Sequence, residues 1–139
     1  MRYTLLFDRR KDELLLIARV FLMALFVIFG IDKFLNFSGT AEYMAAVGLP
    51  LPTLCAFVAL VMEFVVGILI LVGFYTRPLA LALALYTLVT ALIGHRYWAI
   101  EDAGVHLDTM IHFYKNMSIV GGLLLLCITG PGRYSVDRR

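Results

Sequence analysis

Residues 54–73 read LCAFVALVMEFVVGILILVG, twenty positions with one charged residue, Glu63. A helix of that length rises about 30 Å, the thickness of a bilayer's hydrocarbon core. A helix on the surface of a soluble bundle carries a polar stripe every 3.6 residues, and one that is apolar all round belongs in lipid or in a large core. Residues 64–74 have no such stripe. This segment therefore reads as a membrane span, and it sets the reading of the rest of the chain.

Three further apolar runs lie outward from it, at 14–31, 78–94 and 110–129, each of 17 to 20 residues. With 139 residues, the length fits one domain over 1–139. The apolar share is 62 % and the charged share 16 %, against roughly 25 % charged in soluble domains. That composition excludes a disordered chain and makes a soluble globule untenable, because it would expose large apolar patches. The net charge of +2 is too small for nucleic-acid binding. The predicted fold is all-α, an integral membrane antiparallel four-helix bundle in the lipid bilayer.

The first run follows Arg9, Arg10 and Lys11, as in a signal peptide. It is longer than the usual apolar region of one, and Asp32-Lys33-Phe34 follows instead of a small-residue cleavage site. It reads as a retained span. Lys and Arg are distributed eight to two between the two sides: Arg2, Arg9, Arg10, Lys11, Arg77, Arg133, Arg138 and Arg139 against Lys33 and Arg96. The positive-inside bias predicts both termini in the cytoplasm of a bacterial inner (plasma) membrane, with 32–53 and 95–109 outside. Fusions at Gly48 and Asp102 are expected to be active only with a periplasmic-type reporter. Cytoplasmic reporter activity at Asp102 would overturn that orientation.

In the first outer segment, Ser38 suits an N-cap and Gly48 with Pro50 a stop. Thr40, Tyr43, Met44 and Val47 fall on one helical face between them, which predicts a short interfacial helix between spans one and two. The link 73–78 is short, so spans two and three should be antiparallel neighbours. Tyr97 and Trp98 sit where an aromatic belt belongs. Cys55 and Cys127 fall near opposite ends of the bundle, too far apart for a disulfide, and read as packing residues.

Three charged residues fall inside spans: Arg19, Glu63 and Lys115. Such residues are expensive in lipid and usually face the bundle interior. Glu63 lies near the midplane, and Ala59 and Gly67, one turn to either side, would let another helix approach that face closely. Arg19 and Lys115 each lie five residues inside their edge of the membrane, about 7.5 Å deep. An Arg19–Glu63–Lys115 cluster is therefore within reach. The alternative is that Glu63 is only a buried ion-pair partner and that Arg19 reaches back to the inner interface. His112 and Asn116 are four apart on span four, and His95 ends span three at a similar depth, so these three could form a polar pocket opening outward. The histidines could equally be interfacial residues bonded to headgroups. His95, His106 and His112 lack metal-ligand spacing, so no metal site is predicted. Tyr86 and Thr90 share a face and read as core.

The chain resembles the DoxX family of small four-span membrane proteins, and within it the YphA-like bacterial inner-membrane members. The resemblance covers about residues 14–139. It rests on Arg19, the Gly30-Ile31-Asp32-Lys33-Phe34 exit of span one, Glu63 in an M-E-x-x-x-G setting, Gly73-Phe74-Tyr75-Thr76-Arg77-Pro78, Gly94-His95-x-x-Trp98 and Lys115-Asn116. The final G-P-G-x-x-S-x-D at 130–137 is its most specific piece. It implies a link to quinone-coupled oxidation of the thiosulfate:quinone oxidoreductase type and to redox-stress partners.

Three functions follow as expectations. The first is a membrane subunit of a quinone-linked redox system, with Glu63, Arg19 and Lys115 as catalytic groups and His95, His112 and Asn116 as quinone ligands, acting with a redox-protein partner. The second is a non-enzymatic scaffold whose buried charges fix helix register. The third is a small proton-coupled transporter using Glu63, which for so short a chain calls for a homo-oligomer.

Overall fold

In the computed structural model, which describes residues 2–138, four helical spans run antiparallel with a short helix between the first and second. Arg139 and the side chain of Arg2, both counted in the charge bias, lie outside that description. Helix α1 covers Arg2–Arg9, ahead of the first apolar run. Span one is α2 (Lys11–Leu35) and the short helix is α3 (Phe37–Ala46). Span two comprises α4 (Pro52–Leu60), a π turn at Val61–Val65 and α5 (Val66–Val72). Span three is α6 (Thr76–Gly94), followed by a 3-10 turn at Tyr97–Ala99. Span four is α7 (Ala103–Thr129).

Some boundaries differ from the sequence reading for local reasons. Asn36, not Ser38, precedes the first turn of α3, and its side chain makes no cap bond. Helix α7 starts seven residues before the apolar run, because the Asp102 carboxylate accepts a hydrogen bond from Val105 N and caps it there. Lys33 is not a loop residue. It sits in the last turns of α2, inside span one's helix.

The spans form two pairs. Span one packs along the length of span two, and span three along span four. Gly30 allows the first contact, since a Cβ there would lie 2.7 Å from the Phe64 backbone. The two pairs meet on the side that carries the chain termini, where α5 packs on α6 and α2 on α7. Met23, Ile70, Leu83 and Leu123, one from each span, are fully buried between the pairs. On the opposite, loop-bearing side, α4 does not approach α6. The two pairs thus diverge into a V, and α3 packs on α4 and α2 beside its mouth.

Candidate functional site

The V encloses a cavity of about 490 Å³. Its walls are mostly apolar and come from α2, α3, α4 and α6. Its polar groups are Lys33, Tyr43, Glu63, Tyr86, Thr87, Thr90, His95 and Asn116, with Cys55 on the α4 wall. The size falls in the range of small-molecule sites, which pair apolar walls with a few polar groups.

The floor is an ion pair with a third partner. Lys33 Nζ lies 3.2 Å from Glu63 Oε1, and the Tyr86 hydroxyl donates to Glu63 Oε2 at 2.9 Å. Both carboxylate oxygens are thereby satisfied, as a charge in low dielectric requires. Glu63 sits at the centre of the π turn, where Val66 N donates to Val61 O, five residues back. The extra residue breaks the predicted Ala59–Glu63–Gly67 stripe. Ala59 and Glu63 line the cavity, while Gly67 turns onto Phe26 and Val27 of α2. Single π turns inside α-helices are rare and occur often at functional sites.

Higher in the cavity the polar groups hold spare capacity. Thr87 Oγ1 donates to Leu83 O and Thr90 Oγ1 to Thr87 O, so both hydroxyl protons are engaged. The Asn116 amide makes no hydrogen bond among the described residues. The His95 ring stacks on that of His112, with centroids 5.5 Å apart, and makes no hydrogen bond among the described residues. Lys33 spends one of its three ammonium protons on Glu63.

A second polar constellation closes the terminal side. Arg19 is 1 % exposed, and each of its three nitrogens donates to a backbone carbonyl. Its Nε reaches Leu71 O at 3.0 Å, Nη1 reaches Pro131 O at 2.6 Å, and Nη2 reaches Tyr134 O. The segment after Gly130 is a strap across this end. Val136 N donates to Val72 O and Asp137 N to Gly73 O. The Asp137 carboxylate accepts from Tyr75 N and Thr76 N at the start of α6, and Asp12 accepts from Arg133 N. Arg77 donates to the last carbonyls of α7, Ile128 O at 2.7 Å among them. Gly73 has φ +77°, and a Cβ on it would lie 2.2 Å from that of Ser135, so this crossing requires glycine.

The structure thus gathers Glu63, His95 and Asn116 around one cavity and leaves the other expected site residues elsewhere. The Arg19–Glu63–Lys115 cluster does not form, because Arg19 is directed at the carbonyls of Leu71 on α5 and of Pro131 and Tyr134 in the strap. Lys115 is exposed on α7, beside Tyr114 and away from the crevice, without an ion pair among the described residues. His112 stacks on His95 from outside the cavity, with Asp108 3.6 Å from its Nε2. Sequence reasoning missed Lys33 and Tyr86, the two groups that hold Glu63. The only hint was that Lys33 closes an apolar run, which does not reveal a partner thirty residues away. Tyr97, Trp98, His106, Phe113 and Tyr114 form an edge-to-face cluster beyond the cavity, in the belt position expected for Tyr97 and Trp98.

Fold and site together define a multi-pass membrane protein with four spans and a cavity floored by an ion pair. The chain belongs to the DoxX family, whose pattern matches residues 14–96. It is 51 % identical to "Inner membrane protein YphA" of Escherichia coli K12 over 133 residues, 96 % of this chain and 94 % of that one. It is 42 % identical to "Inner membrane protein YqjF" of the same organism, covering 92 % of each chain. A shorter match, 35 % identical over 72 residues, joins half of this chain to 24 % of the "Surfeit locus protein 4 homolog" of Schizosaccharomyces pombe. No solved structure matches. The protein is a bacterial multi-pass inner-membrane member of the DoxX family.

Proposed function

We propose that the crevice binds the head group of a membrane quinone, and that the chain serves as a membrane subunit of a quinone-linked redox system with a redox-protein partner. The observation that carries this reading is the cavity itself: apolar walls, a charged floor, and hydrogen-bond donors with unused capacity. A quinone presents a flat ring, two carbonyl acceptors and an isoprenoid tail. Lys33, His95 and Asn116 are donors suited to the carbonyls, and Leu25, Val58, Val89 and Ile93 suit the ring and the start of the tail. The V between the pairs leaves room for the tail to extend toward lipid. Glu63 and Tyr86 suit the handling of the protons that a quinone takes up on reduction.

The test is purification in mild detergent, extraction of bound lipid and titration of a short-chain quinone against the fluorescence of Trp98, the only tryptophan. Copurifying quinone and saturable quenching are expected. Lys33→Ala and His95→Ala should each weaken binding by about tenfold, the worth of one hydrogen bond of roughly 1.4 kcal/mol. Lys115→Ala, outside the crevice, should not. A flat titration of the unaltered protein with no copurifying quinone would overturn the proposal. The scaffold reading draws on a different observation, that all three nitrogens of the Arg19 guanidinium donate to backbone carbonyls. It would stand if the quinone reading failed and intact partner proteins copurified instead.

A further inference from the structure

We infer that the Lys33–Glu63–Tyr86 floor communicates with water only through the loop-bearing side of the membrane, so that ions and protons are traded with that side alone. The inference rests on the proposed function only for the identity of the ligand. Three observations carry it. First, the polar part of the cavity stops at one level: on span two its lining ends at Glu63, on α6 it begins at Tyr86, and on α2 only the apolar Leu25 and Phe26 reach about a turn deeper, toward Gly67. Lys33, Thr90, His95 and Asn116 all lie from that level toward the loops.

Second, the next layer toward the termini is dry. Met23, Ile70, Leu83 and Leu123 have no exposure and meet in one apolar cluster. A charge crossing such a layer has no group to receive it. Third, the polar groups of the strap stay beyond that layer: the Asp137 carboxylate lines a separate pocket with Thr76 and Arg77 and accepts from Tyr75 N and Thr76 N. Each Arg19 nitrogen donates to a backbone carbonyl there, and Pro131 of the strap is buried. Thr76 Oγ1, the one buried side-chain atom without a partner among the described residues, lies behind the dry layer and not in the cavity. On the loop side, by contrast, α4 and α6 stay apart. A ligand that gains or loses protons on this floor therefore does so at the expense of the loop-side aqueous phase.

The experiment places single cysteines at Thr90 and Thr87, the latter next to Tyr86, in a Cys55→Ser, Cys127→Ala background. Sealed vesicles of each orientation receive a charged, membrane-impermeant methanethiosulfonate, and Glu101→Cys on the loop calibrates orientation. Both cavity positions should react about tenfold or more faster when the loop face is outward, since the reagent's charge bars it from the dry layer. Equal rates from both faces, faster reaction from the terminal face, or no reaction at either position would overturn the inference. A short-chain quinone present during labelling separates the two claims. If it fails to slow modification while the sidedness persists, the quinone assignment fails and the one-sided access stands.

Discussion

Arg19→Ala is expected to lower stability by more than any other single exposed-to-buried comparison in this chain, on the order of 4–6 kcal/mol. The substitution strands the carbonyls of Leu71, Pro131 and Tyr134, which have Arg19 as their donor. It also opens a void where one of the largest fully buried side chains stood. Hydrogen bonds from charged donors contribute roughly 1.5–3 kcal/mol each, and a cavity adds to that loss. Arg19→Lys should recover only part of the difference, because an ammonium cannot reproduce a planar fork directed at three acceptors. Arg10→Ala, which removes an exposed pair with Glu13, should change stability by less than about 1 kcal/mol. Thermal unfolding in detergent checks all three variants. Arg19→Ala melting within a degree or two of Arg10→Ala would mean that the strap holds without its guanidinium.

Glu63→Ala is expected to have the next largest effect. It removes the acceptor shared by Lys33 and Tyr86 and leaves an ammonium in a site only 21 % exposed at its side chain. Breaking a buried pair by deleting one partner destabilises by roughly 3–5 kcal/mol in soluble proteins. A melting temperature lower by on the order of 10 °C follows for a chain of this size. Glu101→Ala, on the exposed loop, should leave the melting temperature unchanged within error. Tyr86→Phe should lie between, losing one hydrogen bond of about 1–2 kcal/mol while keeping the ring in place. If Glu63→Ala and Glu101→Ala melt together, the ion pair contributes nothing to the bundle.

How far the sequence could be read follows from the reach of each signal. Spans, their order and the short helix between the first two were legible because apolar runs and Gly/Pro breaks are local features. Of the face expected on that helix, Tyr43 and Met44, with Val47 just past its end, line the cavity, whereas Thr40 does not and its hydroxyl donates back to Asn36 O. Glu63 drew attention because a carboxylate near the midplane of a twenty-residue apolar run has no bland place to go. Its partners were out of view, since Lys33 and Tyr86 approach it from other helices, at separations of 30 and 23 residues. The π turn was hidden as well, and it undid the inference that Gly67 shares a face with Glu63. Arg19 was singled out for the right physical reason, a charge inside a span. Its destination could not be guessed from side chains, because its acceptors are main-chain carbonyls that every residue carries.

The strap has a consequence for how the protein comes to exist. Two of the three acceptors of Arg19 lie 112 and 115 residues further along the chain. During synthesis, span one must therefore enter the bilayer long before its buried charge can be housed. Arg19 sits close enough to the terminal interface to be held by phosphates in the interim. The closing strap then draws it inward. A segment made late thus completes one made early, and a chain halted before Pro131 would leave Arg19 without two of its three carbonyl acceptors.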